Sequence, residues 1–337
     1  MVFTIFKHFQ VYGRQKININ LRNNNFIYLY MISFDEFLTK EADNLKRLNV
    51  FRQELETQRK VKMIFAAAIA VILTALGILL IIETSLIMPS VSIILLGFVV
   101  SAVWYRFYTA KYHSAIKHGI VTRLVKSVFE FSDYKPDEFI SEFDFKESGF
   151  ISKISSYSGS DLIKANGDVN YRASNLQIFS KQNNIINFID GFLIEIIINF
   201  NFKNRILILP QSKTIKIKGY EFILKPAAEN EKPIEINLPQ TKKEFKVYSS
   251  ADNNSVTISE DLIYYLSDLS ENLKSDIALS LKNKKAYIMI SGPTAGYFKS
   301  ELSRQLSRAD IYSYYKDMIL LNEIAERLKM IIEKYYK

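Results

Sequence analysis

The sequence predicts an α+β fold, with a two-helix transmembrane hairpin followed by a cytoplasmic domain of antiparallel β-hairpins and flanking helices. Three observations predict it. Two charge-free apolar runs, 63–82 (MIFAAAIAVILTALGILLII) and 86–105 (LIMPSVSIILLGFVVSAVWY), are separated only by Glu83, Thr84 and Ser85. β-prone runs punctuated by Gly and Asn then occupy residues 162–248. Leu and Ile finally recur at helical spacing in residues 260–273 and 308–336.

In chain order, residues 1–30 carry Lys7, Arg14, Lys16 and Arg22, no acidic residue and no clear period. They read as translated upstream sequence with the true start at Met31, or as a basic aromatic segment lying on a membrane surface. Ser33-Phe34-Asp35-Glu36 fits a capping box that opens a helix through residues 31–62. At ~1.5 Å rise per residue, each apolar run is long enough for the ~30 Å core of a bilayer, giving a hairpin over 63–107. Lys and Arg flank the pair (Arg59, Lys60, Lys62; Arg106, Lys111), whereas the connecting loop holds only Glu83. That asymmetry predicts two spans with both termini cytoplasmic. Trp104, Tyr105 and Tyr108 fit interfacial anchors. Ala66, Ala70 and Thr74, with Gly97 and Ser101, form small-residue faces that allow close helix packing.

A juxtamembrane helix over 108–134 is expected to end at Lys135-Pro136-Asp137. The domain over 135–300 then contributes strands. Leu162–Ala165 and Val169–Tyr171 flank Asn166-Gly167, a turn pair that tolerates positive φ. Phe192–Phe202 and Arg205–Leu209 read as one hairpin, and Lys213–Lys218 with Tyr220–Leu224 as another. Phe245–Tyr248 is a short strand. Ser259 caps a helix to Leu273. Residues 277–281 and 286–290 alternate about Asn283 as a last hairpin. Residues 301–337 hold a C-terminal amphipathic helix.

Several short features occur in a recognisable order: the apolar hairpin, Phe145-x-x-Ser148-Gly149-Phe150, Tyr157-x-Gly159-x-Asp161-Leu162 with Gly167, Asp190-Gly191-Phe192, and Glu244-Phe245-x-Val247-Tyr248-Ser249. Together they resemble DUF3137, a bacterial family of unknown function, over residues 31–320. Leu193-Ile194-Glu195 stands where that family tends to have a second Phe-rich turn. The resemblance implies a membrane-anchored architecture, here the bacterial inner membrane, and supplies no catalytic residues.

The chemistry open to the chain is narrow. It has 337 residues, no cysteine and three histidines, which removes disulfides, thiolate nucleophiles and Cys-ligated metals. No cofactor and no metal site are expected. His113 and His118 are five apart, not the four that places a pair on one helix face. Ser291-Gly292-Pro293-Thr294-Ala295-Gly296 lacks the Gly-Lys of a phosphate loop. Asp161, Asp168 and Asp190 sit at turns, where Asp is common for backbone reasons. Lys213, Lys216 and Lys218 make one strand face basic and are candidates for lipid headgroups or for protecting a sheet edge. The net charge is +9, with four of those charges in residues 1–30. The remainder is too dispersed for nucleic acid, which is not an expected partner. The expected role is a binding or scaffolding module with the bilayer, a protein or a second copy as partner. A carboxylate-dependent enzyme using Asp161 and Asp168 on a lipid or envelope substrate, and a homo-oligomeric membrane assembly, are the alternatives.

Overall fold

A computed structural model describes residues 34–84, 87–128, 132–151, 153–182, 185–211, 216–217, 220–221, 232–234, 239–249, 257–291 and 304–336. They form two compact units. One is helical, comprising residues 34–124 and 304–314, and the other is built on a sheet, comprising 125–291 and 315–336. The expected capping box at Ser33 and the expected extension over 1–30 lie outside the described residues.

In the helical unit, α1 (Phe34–Lys40) and α2 (Ala42–Thr84) meet at Glu41. This buried carboxylate accepts from Asn44 Nδ2 at 2.7 Å and pairs with Arg123 at 3.1 Å, so its desolvation is offset by two donors. After α2 the chain returns antiparallel as α3 (Ile87–Ile116). A π turn (Lys117–Val121) follows, then α4 (Thr122–Val128). The π turn admits one extra residue, and Thr122 Oγ1 donates to the widened Lys117 carbonyl at 2.9 Å.

The expected transmembrane hairpin is corrected here, together with its two-span inner-membrane placement. Among the described residues no helix is long and apolar enough to cross a membrane. The physical reason lies in what surrounds the apolar runs. The first run is the distal part of α2, whose proximal part is charged. Its flanking cations have protein partners: Arg52 and Lys60 pair with Glu56 at 2.8 and 3.0 Å, and Arg59 lies 5.4 Å from the Tyr105 ring centroid. Lys111 sits 4.6 Å from the Phe107 ring centroid. The aromatic cluster is likewise engaged within the helix pair. Trp104 is half-buried, Tyr105 carries Arg59, and Tyr108 is buried edge-on to Phe107.

The sheet unit is antiparallel throughout. Its elements are β1 (Ser132–Lys135), α5 (Glu142–Ser148), β2 (Ser156–Ala165), β3 (Tyr171–Gln182), β4 (Ile185–Pro210), β5 (Lys216–Ile217), β6 (Tyr220–Glu221), β7 (Lys232–Pro233), β8 (Phe245–Ser249), α6 (Glu260–Leu273), β9 (Asp276–Ser291) and α7 (Arg308–Tyr336). Strand order is β1-β2-β3-β4-β8-β7, with β9 on the other edge of β4, while β5 and β6 pair separately.

The 26-residue β4 is the spine. Successive lengths of it pair with β3 and β8 along one edge and with β9 along the other. Two expected hairpins are therefore single long strands. Phe192–Leu209 runs straight through Asn204, and 276–291 runs straight through Asn283. The two interruptions face each other instead, with Phe202 opposite Asn283 between register shifts on both sides. Asn283 takes φ 53° at this irregularity, in which the extra residues lie on β4, where a reversal of β9 was expected. Asn166 and Gly167, unlike Asn283, do not adopt positive φ. The β2–β3 connection spans residues 166–170, and the Gly167 N–H donates to Asn170 Oδ1 at 3.1 Å.

Both faces of the sheet are buried. One packs on α5 and the segments on either side of it through Ile140, Phe145, Phe150, Leu176, Leu193 and Met289. The other buries Ile194, Ile196, Ile288 and Ile290, and α6 packs on β9. α7 is tied to the same unit where Lys329 Nζ donates to the Asp168 carbonyl at 2.9 Å and Glu333 accepts the Asn199 N–H at 3.1 Å.

Candidate functional site

The most concentrated chemistry in the sheet unit is a row of charges under α5. Register places Arg172 of β3, Glu195 of β4 and Tyr287 of β9 side by side on one face. Lys285 lies on that face one step along β9. Glu195 is only 3% exposed. Such a buried carboxylate needs cations, and it has two: Arg172 Nη2 at 2.6 Å and Lys285 Nζ at 3.4 Å. Helix α5 closes the row from above. Glu147 accepts from Lys285 Nζ and from the Tyr287 hydroxyl, each at 3.1 Å, and Asp144 pairs with Arg172 Nη1 at 3.2 Å.

Local sequence explains why α5 sits there. Ser141 Oγ caps the helix by accepting the Asp144 N–H at 3.1 Å. Gly149 ends it with φ 74°, the left-handed conformation that glycine adopts cheaply. The Ser148 carbonyl then accepts from Ser280 Oγ at 2.6 Å, pinning the helix end to β9.

Electrostatics hold Lys285, Glu147 and Tyr287 each in one protonation state near neutrality. Burial works to lower the Lys285 pKa, but the Glu147 hydrogen bond and the Glu195 charge outweigh it and hold the amine above its usual value. The Lys285 hydrogen bond keeps the Glu147 carboxyl below the usual range. Burial, then the Glu195 and Glu147 charges, push the Tyr287 phenol up. A protonated lysine is neither a Schiff-base nucleophile nor a general base, and none of these three groups is moved towards pH 7 as acid–base catalysis requires. What the row can do is clamp α5 onto the sheet.

The structure disperses the carboxylates selected from sequence. Asp161 is 1% exposed at a bulge in β2, with φ 65°. It accepts from Tyr134 at 2.6 Å, Ser160 at 2.7 Å and Asn175 Nδ2 at 2.9 Å. Burial and the Asp161 charge push the Tyr134 phenol up, so it remains a donor. Asp168 is exposed in the β2–β3 connection, and Asp190 is half-buried within β4. They form no common pocket. Among the described residues no group of three or more His, Cys, Asp or Glu could hold a metal. His113 is half-buried in α3, where burial and then Lys117 lower its pKa, and His118 is exposed in the π turn. A cleft of about 510 Å³ opens between residues 200–206 and the end of α7. Its Phe200, Phe202 and Tyr336 rings pack against one another at centroid distances of 4.8 to 5.9 Å.

Of the small-residue positions, Ala66 is 1% exposed and Ala70 and Thr74 are half-buried, with Thr74 Oγ1 donating to the Ala70 carbonyl at 2.7 Å. The side chains of Gly97 and Ser101 lie outside the description. So do Lys213, Lys218, the side chain of Lys216 in β5, and the loop after Ser291. Sequence reasoning missed the charged row entirely. Its one signal was Glu195, the sole charge in FLIEIIINF.

Residues 187–330 match the family described as "Protein of unknown function (DUF3137)", and the chain resembles that family over this stretch. The match runs from β4 into α7. It starts after the Phe145–Phe150 and Tyr157–Gly167 motifs, so the resemblance is narrower than the order of motifs suggests, and membrane anchoring does not follow from it. No curated relative matches the sequence. Among solved structures, 60% of the chain aligns with 93% of the crystal structure of the mycobacterial trehalose monomycolate transport factor A, TtfA, at 7% identity and a TM-score of 0.26. That likeness is too slight to bear on function.

Proposed function

We propose that the protein is a binding or scaffolding module whose contact surface is the outer side of the α2–α3 hairpin. The observation that carries this reading is the uncovered apolar surface there. Ile64, Phe65, Val71, Ile72, Leu95 and Val103 are each more than half exposed. Monomeric proteins rarely expose contiguous apolar patches beyond ~300–600 Å², and larger ones mark interaction sites. The charged row beneath α5 supports the same reading, because its groups pair with one another and hold the helix on the sheet.

Cross-linking the full chain in cells tests it. Wild type is compared with an Ile72→Glu/Leu76→Glu variant whose sheet unit is checked by circular dichroism. The expected result is a reproducible set of cross-linked species in wild type that the charged variant loses. An identical set from both, or none from wild type, would overturn the proposal.

A further inference from the structure

The cleft of about 510 Å³ in the sheet unit has the size of a small-molecule site, for which ~300–1,000 Å³ is usual. Its wall is apolar and fixed. Phe202 meets Phe200 and Tyr336 at interplanar angles of 70° and 67°, and Ile206 lies beside them. The Tyr336 hydroxyl donates to the Thr257 carbonyl at 2.8 Å, which holds that ring in place. Two polar groups of the same lining lack a partner. Lys203 is exposed and forms no ion pair among the described residues. Ser259 is 7% exposed, and its Oγ is buried without a hydrogen bond. Ser259 precedes α6 as its N-cap, where a serine hydroxyl ordinarily accepts a helix N–H; here it does not. Buried polar atoms are nearly always paired, so an unpaired one that lines a cleft points to a ligand.

We propose that this cleft binds a small amphiphilic carboxylate, its apolar body against Phe200, Phe202, Ile206 and Tyr336, its acid group drawn by Lys203 and completing the hydrogen bonding of Ser259. Charge sets the sign of the ligand. Among the described lining residues there is a lysine and no carboxylate, so a cation would meet repulsion without a counterion and an anion meets an unpaired ammonium. Ring geometry sets its shape. Phe202 stands steeply to both of its neighbours, so the three rings share no plane on which a nucleobase or a sugar could lie flat, whereas a flexible apolar chain needs only van der Waals contact. The site lies apart from the α2–α3 hairpin and does not depend on the reading of that surface.

Calorimetric titration tests this with three probes of one tail length: decanoate, decanol and decyltrimethylammonium, each below its micellar concentration. The parent is the full chain carrying Ile72→Glu/Leu76→Glu, so that the apolar hairpin competes less for the tails. The expected result is saturable binding of one decanoate per chain, at least tenfold tighter than either other probe. Lys203→Met, which keeps the aliphatic stem, should weaken decanoate at least tenfold, while Lys246→Met, an exposed lysine of β8, should leave it unchanged. Ser259→Ala should weaken decanoate about threefold and melt no lower than the parent, because the hydroxyl it removes bonds nothing in the fold. Equal affinity for the three probes, no saturable binding, or equal affinity of the parent and Lys203→Met would overturn the proposal. A lower melting point for Ser259→Ala would show that its hydroxyl serves the helix and would overturn its part in the site.

Discussion

At the residue scale, the carboxylates differ in sign as well as in size of effect. Glu195 is held between Arg172 and Lys285 with almost no solvent. Removing its charge leaves two cations half-buried, and breaking a buried pair costs about 3–5 kcal/mol. Glu195→Gln is expected to lower the unfolding free energy of the sheet unit towards the lower end of that range in urea melts. Lys242→Ala, which removes an exposed pair with Glu271, should cost under ~1 kcal/mol.

Two aspartates of α7 behave oppositely. The Asp310 carboxyl is held down to about 2 by Arg304 and the Ser307 contacts, outweighing burial. Asp317 is pushed up to about 6 by burial, with Lys316 opposing. Its folded pKa exceeds its unfolded one, so the folded state binds the extra proton, and the group lowers stability as pH rises from about 4 through 6. Asp317→Asn should therefore stabilise the protein at pH 7, by up to about 3 kcal/mol, and flatten the stability–pH curve across that window. A variant no more stable than wild type at pH 7 would contradict this assignment.

At the element scale, the glycines of the sequence motifs separate into those that sterics require and those that it does not. A Cβ on Gly159 would lie 2.4 Å from the Asn175 carbonyl oxygen, and one on Gly191 2.5 Å from that of Ile290. Both obstacles are backbone and cannot rotate away. Gly159→Ala and Gly191→Ala should each cost about 1–3 kcal/mol by overpacking. Gly167 has open space and an ordinary φ, so Gly167→Ala should be neutral or stabilise by up to about 1 kcal/mol. Thermal melts of the three variants give the order directly.

The same elements mark what sequence could and could not convey. Helices α6 and α7 were legible because an apolar stripe at period 3.6 is a local property. The long strands were misread as hairpins because Asn283 signals positive φ, which a bulge and a turn both use. Only the pairing of β4 with β9, set by residues some eighty positions apart, decides between them. β1 and α5 were missed for the related reason that four and seven residues are too short to show a period.

At the scale of the whole molecule, the two units divide the labour that the sequence suggested for one membrane-anchored domain. The sheet unit carries a paired charged row beneath α5, and its motif aromatics Phe145 and Phe150 pack in its core. Part of this was legible in Phe145, Gly149 and Phe150, whose order the resemblance used, while the charged row required register across three strands. The helical unit is the reverse. Its apolar runs were obvious, but their reading as bilayer spans ignored the partners of the flanking cations, some within one helix, as Arg52 and Lys60 with Glu56, and one, Arg59 over Tyr105, brought together by the antiparallel pairing of α2 and α3. What remains is an uncovered apolar hairpin, and the account turns on what covers it. Photo-cross-linking of the full chain in cells, from a probe placed at Ile72, measures that most directly. The expected result is a discrete cross-linked species from the probe-bearing chain that is lost when Leu76 is also replaced by Glu. The absence of any species above background, or the same species with and without the Glu replacement, would contradict it.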